Sequence, residues 1–280
     1  MDGGTKADAI VDRLGVRFLT GPAESDVTFT IVTLVARQDR YERLLRSAEA
    51  KGFDRTTCQF LALDNRGSNR FDGFDAIRRT LCEARGRYVV FTHDDVEFHA
   101  DGADQLLACL EDLERRDPRW LLAGNAGGSG AGKVVRHLVD PHDRGIRVQK
   151  PVLVEALDEN FFVMRRDHPV VHSCDLSGFH FYAADLCRLA EIMGGRSYVI
   201  PFLLTHHSPG GIDATFKPNR KRFERKYRRY FPGRKLQLTV TEFNFGLGGL
   251  REGWCETPQS RWDFLADHVY APSTDTGVGK

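Results

Sequence analysis

The sequence predicts an α/β fold, a mostly parallel central sheet flanked by helices. Three observations predict it. Short apolar runs suited to buried strands alternate with segments whose apolar residues recur at helical spacing, the pattern of βαβ units. Acidic and polar residues follow directly on these runs, at the strand ends where sheets of this kind bind ligands. The composition, 41% hydrophobic and 28% charged over 280 residues, is that of a chain able to bury a large core.

The elements follow in order. Residues 1–25 read as an N-terminal extension, a short helix and a linker at Gly21-Pro22. Val27 to Ala36 is β-branched and almost continuously apolar, as in a strand covered on both faces. Leu44, Leu45 and Ala48 mark a helix from Tyr41 to Lys51, ended by Gly52. Gln59 to Leu63 is a second strand, closing on the polar loop Asp64 to Asn69. A helix over Phe74 to Ala84 leads to a third strand, Tyr88 to Thr92, which runs straight into His93-Asp94-Asp95. Ala103 to Arg116 is a third helix and Trp120 to Ala123 a fourth strand.

Beyond Gly124 the pattern loosens. A Gly-rich segment to Gly132 reads as a flexible loop able to act as a lid. Gly127 to Val134 comes close to a phosphate-binding P-loop, but Val134 lacks the hydroxyl that motif needs. Then come mixed segments, Val152 to Leu157 and Phe161 to Arg165, and a loop running into a helix, Phe179 to Met193. A strand follows over Ser197 to Leu204, and a basic helix over Asn219 to Phe231, stopped by Pro232-Gly233. The expected organisation is one catalytic domain over 26–235, in halves 26–125 and 126–235, with a C-terminal tail over 236–280.

The net charge of +1 argues against a generally basic nucleic-acid binder, yet it conceals an asymmetry. Lys217 to Lys235 carries ten basic residues against Glu224, a net of +9, so the remainder is −8. Phe223, Tyr227, Tyr230 and Phe231 share one face of that helix and are expected to face the core, with the cations outward. Those cations suit an anionic membrane surface, a diphosphate-linked lipid acceptor or, less well, nucleic acid. Six cysteines, none in a C-x-x-C pair, fit a reduced cytoplasmic protein. No stretch approaches the roughly 20 apolar residues that span a bilayer, so the expectation is a cytoplasmic protein, peripheral to a membrane at most.

Two adjacent carboxylates after an apolar strand repel each other, and a hard divalent cation relieves that repulsion while also binding phosphate oxygens. On its own, Asp94-Asp95 also fits a solvated turn that caps the next helix. The surrounding stretch, Leu61 to Phe98, narrows the choice. It resembles the nucleotide-sugar half of family-2-like glycosyltransferases with the GT-A fold, and is closest to a bacterial subgroup with a histidine before the acidic pair. The residues that carry this are Asp64 after the second strand, Ala84-Arg85-Gly86-Arg87-Tyr88-Val89-Val90-Phe91, and the F-x-H-D-D-V run Phe91 to Val96. Gly178 to Leu186 similarly resembles that family's acceptor segment, aromatic residues followed by an acid at a helix start.

The resemblance implies a GT-A-like fold, with a nucleotide-sugar half followed by an acceptor half. It implies Asp95 and His206 as ligands of Mn²⁺ or Mg²⁺, with His207 the alternative to His206. Ala36 of the first-strand motif, Asp64 and Asp94 would bind the nucleotide, and Phe179, His180 and Tyr182 the acceptor. Asp185 would be the general base, with Asp175 its nearest competitor, because a carboxylate must take the proton of an attacking hydroxyl. The implied activity is transfer of a sugar from a nucleotide diphosphate sugar to a saccharide or lipid-linked saccharide in polysaccharide biosynthesis, with inversion. A Mg²⁺-dependent nucleotidyltransferase is the second reading, disfavoured because Arg37-Gln38-Asp39-Arg40 lacks the glycines its phosphate loop would need. A non-catalytic module that binds anions through the basic helix is the third, and it leaves the strand-end acids unexplained.

Overall fold

A computed structural model describes residues 25–141, 147–208, 210–246 and 269–270, with isolated positions 13 and 18. The expected N-terminal extension, and most of the expected tail beyond 246, lie outside the described residues.

The first half alternates as its periodicity requires. It comprises β1 (Val27–Val35), α1 (Gln38–Ala50), β2 (Cys58–Asp64), α2 (Gly73–Glu83), β3 (Gly86–His93), β4 (Val96–Glu97), α3 (Ala103–Arg116) and β5 (Trp120–Gly124). The second half is made of shorter pieces: β6 (Ala126–Ser129), β7 (Lys133–Arg136), β8 (Arg147–Val148), β9 (Val152–Val154), β10 (Ala156–Leu157) and β11 (Phe161–Arg165). It continues with α4 (Tyr182–Ile192), β12 (Arg196–Val199), β13 (Thr205–His206), α5 (Phe216–Tyr227), β14 (Lys235–Gln237) and β15 (Glu242–Asn244).

One seven-stranded sheet, in the order β2-β1-β3-β11-β5-β12-β9, unites both halves. Strands β2, β1, β3, β5 and β12 run one way, while β11 and β9 run against them. The mostly parallel α/β expectation therefore holds. Because β11 inserts antiparallel between β3 and β5, the start of β11 lies against the end of β3 that leads into Asp94 and Asp95.

Alternating side chains divide the interior into two cores, as the period of two demands. Phe29, Ile31, Tyr88, Val90, Phe161 and Val163 face α1 and α3, packing with Leu44, Leu106, Leu110 and Trp120. Val32, Val89, Phe91, Phe162 and Met164 face the other way, toward α2 and α4 and the aromatic side of α5. There Phe181, Phe223, Tyr227 and Phe243 stack with ring centroids 4.6–5.6 Å apart. Full burial of one such ring is worth about 1.5–3 kcal/mol.

Four sequence expectations need correction. The Gly-rich segment is a buried hairpin, β6–β7, and β6 also pairs with β10. Its glycines allow close backbone packing: a Cβ on Gly128 would fall 1.7 Å from the Gln237 carbonyl oxygen. The strand expected to reach Leu204 ends at Val199, one residue before Ile200-Pro201, and Pro201 has no N–H for a ladder. Residues 236–245, assigned to a tail, form the hairpin β14–β15 with Leu236, Leu238, Phe243 and Phe245 buried. Helix α5 begins and ends earlier than expected, so Tyr230 turns outward while Phe223, Tyr227 and Phe231 face the core. Among the described residues, no helix is long and apolar enough to cross a membrane.

Candidate metal centre

Sheet register brings the first-half candidates to one edge. Val35 stands opposite Asp64 in β2, and Leu34 opposite His93 in β3. Asp94 Oδ2 accepts the backbone amides of Ala36 and Arg37 at 2.9 and 2.8 Å, which ties the end of β3 to the end of β1. One oxygen of Asp94 and the Ala36 amide are thereby committed to each other. Asp64, more exposed, accepts from Arg66 (2.9 Å) and Arg70 (2.6 Å), and the Arg66 and Arg70 contacts hold its carboxyl well below the usual range.

Asp95 points the other way. Only 8% exposed, it meets His206 from the second half: β13 pairs with β4 in the register His206↔Val96. Asp95 Oδ1 lies 3.4 Å from His206 Nε2 and 4.0 Å from His93 Nδ1, and Arg40 Nη1 approaches Oδ2 at 3.4 Å. One ligating atom from each of His93, Asp95 and His206 falls within 4.8 Å of the others. The alternative histidine is engaged elsewhere, since His207 Nε2 sits 2.9 Å from Glu97, which also pairs with His99.

This set fits a divalent metal. Asp95 Oδ1 and His206 Nε2 are buried, and neither makes a hydrogen bond. Leaving such atoms unpaired costs on the order of 1–3 kcal/mol each. Metal–ligand bonds of about 2.0–2.2 Å span the 3.4 and 4.0 Å between Asp95 and the two histidines. Burial alone would raise the Asp95 carboxyl, but His206, His93 and Arg40 outweigh it and bring it down to about 2, the ionised form a cation needs. Burial lowers His206, and Asp95 more than compensates, so it ends raised. His93 is lowered, first by burial and then by the His206 charge.

A second layer orients His93. With Nδ1 turned to Asp95, the Nε2 side meets the Tyr182 hydroxyl at 3.3 Å, and that hydroxyl donates to the Glu159 carbonyl at 3.4 Å. A hydrogen bond on the far nitrogen fixes the ring and tautomer of a metal-binding histidine. The Tyr182 ring lies over Gly73, the first residue of α2, where a Cβ would fall 2.2 Å from it. The His93 amide also donates to the Asn160 carbonyl at 3.0 Å, so Asp158, Glu159 and Asn160 border the cluster.

The acceptor-segment candidates fare differently. Phe179 is half-buried, and His180 bonds Asp213 at 3.1 Å with its ring edge on Phe216. Asp185 is fully buried in the core. Its carboxylate accepts from the Ser173 amide (2.8 Å), the Ser173 hydroxyl (2.5 Å) and the Tyr227 hydroxyl (2.5 Å). Burial raises its carboxyl despite these donors. With no exposed surface and both oxygens occupied, Asp185 holds α4 to α5 and presents no atom to an incoming hydroxyl. Asp175, its competitor, is exposed and paired with Lys226.

Sequence reasoning left His93 without a role, although it lies in the same F-x-H-D-D-V run. Its place at the end of β3, two residues before Asp95, was the available signal. It also passed over Glu159, whose Oε1 is buried without a hydrogen-bond partner. Burial, and then the neighbouring Asp158 charge, push Glu159 up to about 8, although amides of Phe181 and Ala183 at the start of α4 oppose the shift. Asp158 itself is held by Asn160 and Thr239.

No protein-family profile matches the sequence. Comparison with solved structures gives partial likenesses at low identity. GalNAc-T7 with UDP, GalNAc and Mn²⁺ aligns at 10% identity and TM-score 0.46 over 66% of this chain and 44% of its own. A mannosyltransferase from Pyrobaculum calidifontis with GDP-Man and Mn²⁺ aligns at 13% identity and TM-score 0.47 over 81% and 70%. This chain thus spans less than half of the GalNAc-T7 chain. Sequence comparison is far stronger: "ATP synthase subunits region ORF 6" of Fuscovulum blasticum is 43% identical over 241 residues, 83% of this chain and 94% of that protein. The chain therefore belongs to the family of the ATP synthase subunits region ORF 6 protein.

Proposed function

We propose that the protein is a metal-dependent glycosyltransferase, moving a sugar from a nucleoside diphosphate sugar to a hydroxyl of a saccharide or lipid-linked saccharide. The observation that carries this reading is the His93–Asp95–His206 cluster, at the edge of the sheet that also holds Ala36 and Asp64. The motif resemblance of Leu61 to Phe98 supports the same reading. Two imidazoles beside one carboxylate favour Mn²⁺ over Mg²⁺, which prefers an all-oxygen shell. A bound metal would neutralise the leaving diphosphate.

The chain's own groups take the remaining roles in this proposal. Asp94 holds the loop after β1 in place for the nucleotide, and Asp64, between two arginines, offers acceptor oxygens to a nucleobase. Glu159 replaces Asp185 as the proton acceptor, because it borders the cluster and keeps an oxygen without a protein partner. A carboxylate base acting on the attacking hydroxyl in a single displacement inverts the anomeric centre. The setting we propose is polysaccharide or glycoconjugate assembly in the cytoplasm.

Thermal unfolding with UDP or GDP, with and without Mn²⁺, tests the reading. The expected result is stabilisation by a nucleoside diphosphate that requires the metal; at a ligand concentration 100 times Kd this amounts to about 2.7 kcal/mol. Stabilisation that ignores the metal, or none by any nucleoside diphosphate, would sink it.

A further inference from the structure

Helix α5 contributes nothing to the metal centre, yet it concentrates the basic excess of the chain. Its inner side is fixed: Phe216, Phe223 and Tyr227 are buried, and Glu224 is buried between Arg220 and Arg228. Lys226 is taken by Asp175, and the Arg220 guanidinium also bonds the Glu242 carbonyl. What remains outside is Lys217, Lys221, Arg222, Arg225 and Arg229, all exposed and none paired with an acid among the described residues. At 100° per residue Lys217, Lys221, Arg222 and Arg225 fall on one continuous arc about 140° wide, along a helix about 18 Å long, and Arg229 follows in the turn beyond it. Lys217–Lys221 and Lys221–Arg225 are like-charged pairs at i,i+4, which destabilise an isolated helix. An arrangement that repels itself in water is relieved by an anionic surface laid against it.

We propose that this outer face of α5 docks the protein on an anionic lipid bilayer. Two features select a bilayer over nucleic acid. The aromatic rings of the helix, which would stack on bases, are turned into the core. Beyond the two ends of the helix, Ile212 is 43% exposed and Tyr230 59% exposed, an apolar and an amphipathic group suited to the headgroup level. The helix is also rigidly placed. Phe216 packs on His180 and Phe181 with centroids 5.1 and 5.0 Å away, so docking through α5 sets the position of the segment that leads into α4. The proposal is independent of the reaction at the metal centre.

The test uses the full chain and vesicles of phosphatidylcholine, with or without about 30% phosphatidylserine, read by co-sedimentation. Binding is expected only to the anionic vesicles and is expected to vanish near 0.5 M salt, where the Debye length falls to about 4 Å. Each cation at the surface adds about a fivefold in affinity. The triple variant Lys217→Glu, Lys221→Glu, Arg225→Glu should therefore bind at least roughly 100-fold more weakly. The same charge change at exposed Arg43, Arg46 and Arg55 should leave binding intact. Circular dichroism establishes that both variants are folded, and Gln at the three α5 positions gives an intermediate loss. Unchanged binding by the α5 variant, equal loss in the control variant, or failure of the wild type to bind anionic vesicles would each overturn the proposal. Tighter binding to a DNA oligonucleotide than to vesicles at the same salt would overturn it in favour of a nucleic-acid partner.

Discussion

The end of β3 and the first turn of α4 each bury an aspartate, and the two are opposites. Asp185 receives three donors from Ser173 and Tyr227 and has no surface left. Asp95 is also buried, but one oxygen has no hydrogen-bond partner and faces two imidazoles. Burial makes a polar atom without a hydrogen bond costly, so a fold keeps one only where something else completes it. A satisfied buried acid is part of the framework, while an unsatisfied one beside other ligating atoms is a binding group.

The sharpest way to break this contrast is at Asp95. Asp95→Asn should abolish Mn²⁺ binding measured by titration calorimetry and lower metal-dependent turnover by at least about 10³-fold. The metal-free protein should stay folded, its melting temperature falling only by the loss of the Arg40 and His206 contacts to the carboxylate. A metal-free protein that unfolds instead would place Asp95 with Asp185 as a framework residue.

Next comes Glu159, which separates the two proposed bases. Glu159→Gln should reduce turnover about 10²–10³-fold with Mn²⁺ affinity unchanged. The sign of its pH effect follows from its raised carboxyl, near 8 when folded against an ordinary 4.5. Between those values the folded chain holds a proton that the unfolded chain has released. Stability from this group is thus full below about 4.5 and lost as pH rises toward 8. Denaturant titrations in chelator should show that decline in the wild type and a flatter profile in Glu159→Gln. Identical profiles would remove the assignment.

The smallest effect on chemistry belongs to Asp185. Asp185→Ala should cost about 2–4 kcal/mol of stability, read from urea unfolding, because Ser173 and Tyr227 are left without their acceptor. Metal affinity and the turnover of the remaining folded protein should change less than threefold. A large fall in turnover with unchanged stability would restore Asp185 as the base.

Much of the first half was legible because its signals are long and local. A nine-residue β-branched and apolar β1 and a fourteen-residue amphipathic α3 leave few alternatives, and these elements appear within a few residues of expectation. The second half is built from strands of two to five residues, whose pairing is set by distant partners. A Gly-rich run reads as a loop when the carbonyl of Gln237 that packs on it lies over a hundred positions away. The centre shows the same division. Asp95 and His206 were visible at strand ends, but only the pairing of β13 with β4 brings His206 to Asp95 and His93. Asp185 was open to two readings for a physical reason: an acid in a first helical turn is equally suited to chemistry and to the helix dipole, and only its neighbours decide.

One contact carries a consequence beyond its size. Tyr182 steadies His93, and its ring occupies the space a side chain on Gly73 would need. In genetic terms the two positions form a locked pair, with 73 in the first half and 182 in the second. A larger residue at 73 is tolerated only if 182 becomes smaller, and the histidine then loses its brace. A lesion that touches no ligand and no charge can therefore act as a metal-centre mutation, with its suppressors lying in the opposite half of the chain.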